Sequence, residues 1–362
     1  MFPGNKKLFS GKYNRDFRKI TYVFPGNEKL FSGKYKRDFR KITYVFPGNK
    51  KLFSGKYNRD FRGKKMTENG GKNAMKTGIE SGAYIARYGW EAGLERMKRH
   101  GYDTIDFDMA DTEHNPVYTL SSSELSQYIG EKSKLVRDSG LEIFQTHGPW
   151  RWPPRDGTEE ERAERFEKMA LSIKATAAFG CRNFVIHPVM PFGDNRNPHP
   201  DEFHKINFEF MNRLTDVAEK EGVVICFENM PMPALTLATP AQILGFVKEI
   251  GRANFKVCLD TGHCAVCGVK PGDAVRLTGK DYLAVLHVHD NNGHGDFHWL
   301  PYTGVIDWKD FSAALKKIGY DGSLSLETKV PSGVPEAARE PMEQSLAIMA
   351  SVLAGNIPGE RK

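Results

Sequence analysis

Short apolar runs alternate with amphipathic stretches from about residue 77 onwards, and no other feature restricts the possible folds of this chain as strongly. The runs that predict strands are residues 79–86, 104–108, 142–147, 183–187, 223–228, 256–260, 284–289 and 323–327. The stretches that predict helices are residues 90–99, 123–139, 159–179, 200–221, 240–250, 271–277, 308–318 and 335–353. Eight strand–helix units in this order predict an α/β domain, a closed parallel (β/α)8 TIM barrel.

A basic, repetitive extension precedes the predicted barrel. A 22-residue unit occupies residues 2–23, recurs almost unchanged at residues 24–45, and appears a third time, shortened, at residues 46–62. The repeats have no period typical of a helix or a strand. We therefore expect residues 1–65 to be a disordered extension rather than an arm that binds nucleic acid or a membrane surface, and residues 66–362 to form the barrel.

The charge of the chain is unevenly distributed between these two parts. Residues 1–65 carry 19 of the 52 Lys and Arg and 4 of the 45 Asp and Glu, which leaves 33 basic and 41 acidic residues for the predicted barrel. An acidic barrel repels nucleic acid on average, so a small molecule is the more natural partner. No apolar run is long enough to predict a membrane span. Five cysteines, an odd number, together with the lack of an apolar signal segment, indicate a reduced, cytoplasmic protein.

Ionisable side chains stand at or just after the ends of six predicted strands. They are His147, His187, Glu228, Asp260, His263, His287, His289, Asp290, Asp296, His298 and Glu327. In a barrel these positions converge on one face, where several unpaired charges would be costly to desolvate unless a cation neutralised them. Carboxylate and imidazole ligands suit Mn²⁺, Co²⁺, Mg²⁺ or Zn²⁺, so the pattern predicts a divalent-metal enzyme.

The segments ENMP, LDTGH, HVHD, DFHWLP with the following YTGVIDW, and SLET together resemble the xylose-isomerase-like TIM-barrel superfamily over residues 77–330. This group contains isomerases and epimerases of sugars and sugar phosphates, and also apurinic endonucleases of the endonuclease IV type. For the isomerase and epimerase branch, the resemblance implies four metal ligands: Glu228, Asp260, His287 and Glu327. His287 matches better than His289 because the family pattern is His-x-x-Asp, here His287 to Asp290.

The resemblance leaves two activities open. The endonuclease branch has further ligands, and the matching residues here are His147, His187, His263, Asp296 and His298. In that case zinc ions would activate hydroxide to attack a phosphodiester of abasic DNA. The acidic barrel region disfavours this activity, and the loops ENMP and CAVCG depart from the signatures of that branch. We therefore expect an isomerase or epimerase of a sugar or sugar phosphate, in which these five residues bind substrate or additional metal.

The resemblance also implies how such a site works. Glu228 and Glu327 would lie on opposite sides of the substrate carbon and transfer a proton through an enediolate, while Asp260 and His287 act only as ligands. Arg151 and Arg155, in the loop GPWRWPPRDG, are the one hint of a phosphorylated substrate. Barrels of this group often pair, so we also expect a homo-oligomer.

Overall fold

The computed structural model describes residues 19–23, 41–45, 75–193 and 198–356. The chain divides into two compact units, residues 1–69 and residues 70–362. In the first unit the KITYV segments of two repeats, Lys19–Val23 and Lys41–Val45, form strands that pair in parallel. Ile, Thr, Tyr and Val favour extended backbone, which agrees with these two short strands. The expected disorder of residues 1–65 stays a prediction. The rest of the three repeats lies outside the described residues.

Eight parallel strands form the sheet of the second unit. They are β1 (Lys76–Glu80), β2 (Thr104–Asp108), β3 (Glu142–His147), β4 (Asn183–Ile186), β5 (Val224–Glu228), β6 (Phe255–Asp260), β7 (Leu283–His287) and β8 (Ser323–Leu326). Each strand pairs with the next along the chain from β1 to β7, and β8 pairs with β1. A bridge between Val288 and Leu326 joins β7 to β8. The predicted (β/α)8 barrel is therefore confirmed.

Helices surround the sheet. They are α1 (Gly82–Tyr88), α2 (Trp90–His100), α3 (Pro116–Thr119), α4 (Ser122–Asp138), α5 (Glu159–Ala178), α6 (Pro200–Lys220), α7 (Pro240–Ile250), α8 (Thr261–Val266), α9 (Pro271–Tyr282), α10 (Trp308–Ile318) and α11 (Glu336–Leu353). Capping boxes begin α5 at Thr158 and α7 at Thr239, and left-handed glycines end α7 and α10. No helix among the described residues is long and apolar enough to span a membrane.

The first strand–helix unit differs from the prediction. We expected a strand over residues 79–86, but β1 ends at Glu80 and α1 occupies the second half of that range. The Glu80 carboxylate accepts the N–H of Gly82 at 2.7 Å, and the Ser81 hydroxyl donates to the carbonyl of Asp106 in β2. These bonds turn the chain out of the sheet. The residues that follow, Ala-Tyr-Ile-Ala, are apolar in either conformation, so their pattern alone could not distinguish helix from strand.

The sixth unit also contains more helix than expected. The predicted helix over residues 271–277 is the start of α9, which continues to Tyr282 through a kink at Gly279, where φ is 66°. The short helix α8 directly after β6 was not predicted. It begins at Asp260, whose side chain accepts the N–H of His263. This cap fixes both ionisable residues at the barrel mouth.

The interior of the barrel is closed beneath the strand ends. Val185, Cys226, Cys258 and Val285, one from each of β4 to β7, form a fully buried layer. Because side chains alternate along a strand, the residue two positions further on in each strand or just after it also points inward. Those residues are ionisable, so the apolar layer is the floor of a polar site.

Candidate metal centre

A cavity of about 640 Å³ opens at the C-terminal ends of the strands. Five carboxylates line it: Glu80, Asp106, Asp108, Asp296 and Glu327. Four imidazoles line it as well: His147, His187, His263 and His298. Trp150, Trp152 and Phe297 form its aromatic wall. This position is where barrel enzymes carry their active sites, and all four imidazoles together with Asp296 and Glu327 are residues that the sequence analysis selected.

Glu228 is the centre of the first group of ionisable side chains. Its Oε1 lies 2.9 Å from Nδ1 of His287, and its Oε2 lies 3.1 Å from Nε2 of His187 and 3.9 Å from Nε2 of His147. Oε2 of Glu327 lies 3.1 Å from the same Nδ1 of His287. Three of the four predicted ligands, Glu228, His287 and Glu327, are therefore in direct contact, with two more imidazoles beside them.

Asp260, the fourth predicted ligand, belongs to a neighbouring group. Its Oδ1 accepts the backbone N–H of His263 at 2.6 Å, and its Oδ2 lies 3.1 Å from Nε2 of His289. The two groups meet at His263, whose Nδ1 is 3.6 Å from both Asp260 Oδ1 and Glu228 Oε1. His289, which we ranked below His287 from the sequence, is thus the imidazole that faces Asp260. His287 and His289 both point into the barrel, because alternate residues of a strand face the same side.

Asp296 and His298 extend this second group towards the cavity. Oδ2 of Asp296 lies 3.3 Å from Nε2 of His263 and 3.2 Å from Nε2 of His298. The ring of His298 stacks on that of His289 with centroids 4.1 Å apart. All five residues that the sequence marked as additional ligands or substrate contacts therefore lie around one cavity.

Several nitrogen–oxygen contacts in the site are close but are not hydrogen bonds. Three such pairs are each 3.1 Å apart: Glu228 Oε2 and His187 Nε2, Glu327 Oε2 and His287 Nδ1, and Asp260 Oδ2 and His289 Nε2. The carboxylate oxygen of every pair is buried without a hydrogen-bond partner among the described residues. Such an oxygen is costly to bury. Ligand atoms about 2.1 Å from a shared cation stand about 3 Å apart, so these residues fit a divalent metal.

The electrostatics of the site favour the ligand forms of Glu228 and His187. Burial alone would lower the pKa of His287, but the groups facing it raise that pKa well above its usual range. Burial alone would raise the pKa of Glu228, but the facing imidazoles of His287 and His187 hold that pKa well below its usual range. Burial lowers the pKa of His187 to about 4. Burial would also lower the pKa of His298, yet the bond to Asp296 raises it to about 10. Near neutral pH, Glu228 is therefore ionised and His187 neutral, the protonation states in which both bind a cation.

Asp106, on β2, contributes to the site although our sequence analysis did not select it. Its Oδ2 accepts hydrogen bonds from Nε2 of His287 at 3.0 Å and from the side-chain amide of Gln145 at 2.8 Å. If Nε2 of His287 carries the proton, its Nδ1 presents a lone pair towards Glu228 and Glu327. The sequence pattern that could have identified Asp106 is the alternation Thr-Ile-Asp-Phe-Asp in β2, which directs Asp106 and Asp108 to the same face of the sheet.

Comparisons with known proteins agree with the barrel fold and identify its family. A family model described as a xylose isomerase-like TIM barrel matches residues 94–352. D-psicose 3-epimerase of Ruminiclostridium cellulolyticum is 35% identical over 269 residues, covering 70% of this chain and 85% of that protein. Inosose isomerase of Bacillus velezensis is 24% identical over 269 residues, covering 72% of this chain and 91% of that protein. The crystal structure of the IOLI protein with a binding zinc atom superimposes with a TM-score of 0.61 at 20% identity, covering 79% of this chain and all of that one.

Proposed function

The chain belongs to the family of xylose isomerase-like TIM barrels, and from this premise we propose that it is a divalent-metal-dependent isomerase or epimerase of a sugar. The observation that carries the proposal is the group of three buried carboxylate oxygens that have no hydrogen-bond partner among the described residues and face three imidazoles at the mouth of the barrel. The similarity to a sugar epimerase and to inosose isomerase supports the same reaction class.

We assign the metal to Glu228, His287 and Glu327, with Asp260 as the fourth ligand. A divalent cation there would polarise the carbonyl group of the sugar and stabilise negative charge on its oxygen. Glu228 and Glu327 flank Nδ1 of His287 at 2.9 and 3.1 Å, so the two carboxylates approach one small volume from different strands. His147 and His187, which line the cavity above Glu228, are in position to bind hydroxyl groups of the substrate.

The chemistry required is removal of a proton from the carbon next to a carbonyl and its return at another place or on the other face. Glu228 and Glu327 are the carboxylates available for this transfer: Glu327 lines the cavity, and Glu228 lies directly beneath it. A carboxylate on each side of the carbon allows one group to take the proton while the other returns it. Trp150, Trp152 and Phe297 line the cavity and would pack against a bound sugar.

Removal of metal from the full-length protein tests this proposal. We expect about one Mn²⁺, Co²⁺, Mg²⁺ or Zn²⁺ per chain by elemental mass spectrometry, and metal-dependent deuterium exchange from heavy water into a ketohexose. Dialysis against a chelator should abolish the exchange, and adding back the ion should restore it. A chain that binds none of the four ions, or that exchanges equally well without them, contradicts the proposal.

A second function is favoured by one observation. His147, His187, His263, Asp296 and His298, the extra ligands of the endonuclease branch, all line the same cavity. A zinc phosphodiesterase that cleaves abasic DNA would use them to hold further zinc ions. The same metal analysis distinguishes the two functions, because close to three zinc ions per chain together with cleavage of an abasic duplex would replace the isomerase proposal.

Asp106→Asn tests whether the metal is held by His287. The carboxylate of Asp106 fixes this imidazole, and an amide in its place can offer an N–H to Nε2 and favour the wrong tautomer. Loss of such a supporting bond typically weakens metal binding about 10- to 100-fold. Calorimetric titration of the metal-free protein with Mn²⁺ and Zn²⁺ measures the change. The control is Asp138→Asn, the same substitution at an exposed position of α4. Unchanged affinity in Asp106→Asn would exclude this role.

A further inference from the structure

We infer that the cavity accepts an unphosphorylated sugar, whose far end is bound through neighbouring hydroxyl groups by Glu80 and Asp108. This inference rests on the proposed function and names the substrate class of the same site. Glu80 is the last residue of β1 and Asp108 the last residue of β2, on the side of the cavity formed by strands that supply none of the proposed metal ligands.

Each of the two carboxylates has one oxygen engaged by the protein and one available to a ligand. Glu80 Oε1 accepts the N–H of Gly82 at 2.7 Å, and Asp108 Oδ1 accepts the N–H of Ala110 at 2.7 Å. A carbon added to Gly82 would lie 2.5 Å from Glu80 Oε1 and 3.5 Å from Asp108 Oδ2, so the two side chains lie next to each other above this glycine. These two backbone bonds fix the pair, and both residues line the cavity.

The protonation state of Glu80 favours hydrogen bonding to a diol. Burial, followed by the charges of Asp108 and Asp106, raises the pKa of Glu80 to about 7. Near neutral pH Glu80 is therefore protonated part of the time, and it then offers a hydrogen-bond donor as well as an acceptor. A hydroxyl group both donates and accepts hydrogen bonds. Two neighbouring hydroxyl groups therefore pair better with carboxyl groups that are partly protonated than with fully ionised ones, which can only accept.

The charge of the lining argues against a phosphate group. Five carboxylates face the cavity and outnumber the cationic side chains that line it among the described residues. These are Lys329, which is exposed, and the imidazoles of His263 and His298, whose pKa values are raised. A phosphate group carries close to two negative charges and is usually held by several cationic donors or by a helix N-terminus. A sugar phosphate would therefore meet net repulsion at this end of the site.

Arg151, which our sequence analysis considered for a phosphate, is directed elsewhere. Its guanidinium donates to the carbonyl oxygen of Arg155 and lies 3.7 Å from Glu164 on α5. It borders a separate small cleft behind Trp150, and neither Arg151 nor Arg155 lines the large cavity. Trp152 and Phe297, both more than half exposed, instead offer apolar faces against which the C–H groups of a sugar can pack.

Calorimetry on the full-length, Mn²⁺-loaded protein compares D-fructose, D-psicose and D-tagatose with D-fructose 6-phosphate and D-fructose 1-phosphate. We expect the free ketoses to bind and both phosphates to bind at least about tenfold more weakly.

In Glu80→Gln and Asp108→Asn, binding of the free ketoses should weaken about tenfold or more, as is typical for lost hydrogen bonds to charged groups. Where exchange is measurable, the same variants should raise KM much more than they lower kcat. Glu131→Gln, at an exposed site of α4, is the control.

The outcomes separate this inference from the proposed function. Tighter binding of either phosphate, or free ketoses that bind equally well to Glu80→Gln and Asp108→Asn, would overturn the inference even if exchange proceeds. Binding of free ketoses that depends on Glu80 and Asp108, with no proton exchange in any of them, would support the inference and contradict the isomerase. A metal-loaded protein that binds none of the five sugars would overturn the inference as well.

Discussion

Glu228→Gln and Glu327→Gln should each lower the rate of proton exchange into the substrate by about 10²- to 10⁴-fold, the usual contribution of a positioned acid or base. An amide keeps the size of the side chain and one oxygen that can bind metal, but it cannot take up a proton. Both residues contact Nδ1 of His287, so each variant must be assayed at a Mn²⁺ concentration that saturates it. Deuterium incorporation under these conditions, followed by mass spectrometry, then reports on the transfer step rather than on metal occupancy.

Glu209→Gln is a suitable control because Glu209 is exposed on α6, and its one ion pair within the described part of the chain is with Lys205, at 3.9 Å. It should exchange at the wild-type rate. Circular dichroism should give native spectra for all three variants. A metal-saturated Glu327→Gln protein with full activity would remove the proposed role of Glu327, and the same result for Glu228→Gln would leave that residue as a ligand only.

The sequence predicted the barrel and most of its strand ends correctly, because each strand is an apolar run closed by a polar residue. The predicted ranges 104–108 and 142–147 match β2 and β3 residue for residue. The first unit was wrong because apolar residues continue past Glu80 into α1, where only the bonds of Ser81 and Glu80 turn the chain. Tertiary bonds of that kind leave no periodic signal in the sequence.

The sequence indicated where the site lies, but not how its side chains divide into the group around Glu228 and the group around Asp260. A list of residues at strand ends indicates which side chains reach the barrel mouth, but it cannot tell which nitrogen faces which oxygen. The separation of Asp260 from the Glu228 group and its contact with His289 depend on the cap of α8, which was not predicted. The ligand set drawn from the resemblance therefore stays a prediction, which the metal titrations above can test.

Residues on the early strands were missed for a different reason. Glu80, Asp106 and Asp108 belong to no recognisable motif, and each follows or interrupts an apolar run as many surface carboxylates do. Only closure of the barrel, with β8 paired to β1, brings them opposite the residues of the later strands. The carboxylates that complete the cavity on the side of β1 and β2 thus lie where sequence patterns are least informative.

Arg165→Met should lower the free energy of unfolding by about 3–5 kcal/mol, the usual cost of leaving one member of a buried ion pair alone. Arg165, on α5, and Asp156 are 6% and 1% exposed. The guanidinium donates to Asp156 Oδ2 and, at 3.4 Å, to the carbonyl oxygen of Pro188. Without it, the carboxylate of Asp156 would keep, among the described residues, only the N–H of Met190 as a donor, at 2.8 Å. Methionine fills a similar volume, so the loss reflects charge rather than a cavity.

Urea unfolding followed by circular dichroism and by tryptophan fluorescence measures this change, because coincident transitions justify a single free energy. Lys174→Met, at an exposed position of the same helix, should change the free energy by no more than about 0.5 kcal/mol. The double variant Asp156→Asn/Arg165→Met removes both charges, so it should be less destabilised than the sum of the single variants. A loss below about 1 kcal/mol in Arg165→Met would mean that water or a backbone shift satisfies Asp156.

The ion pair of Arg165 and Asp156 also affects the geometry of the candidate metal centre. Asp156 closes the loop that follows His147 and carries Trp150 and Trp152, and its bond to Met190 anchors the segment after His187. Loosening both segments would shift the two imidazoles beside Glu228, at 3.1 and 3.9 Å from its Oε2. We therefore expect Arg165→Met to lower kcat/KM even at temperatures where it remains folded, whereas Lys174→Met should not. Unchanged kcat/KM in a destabilised Arg165→Met protein would confine the ion pair to a purely structural role.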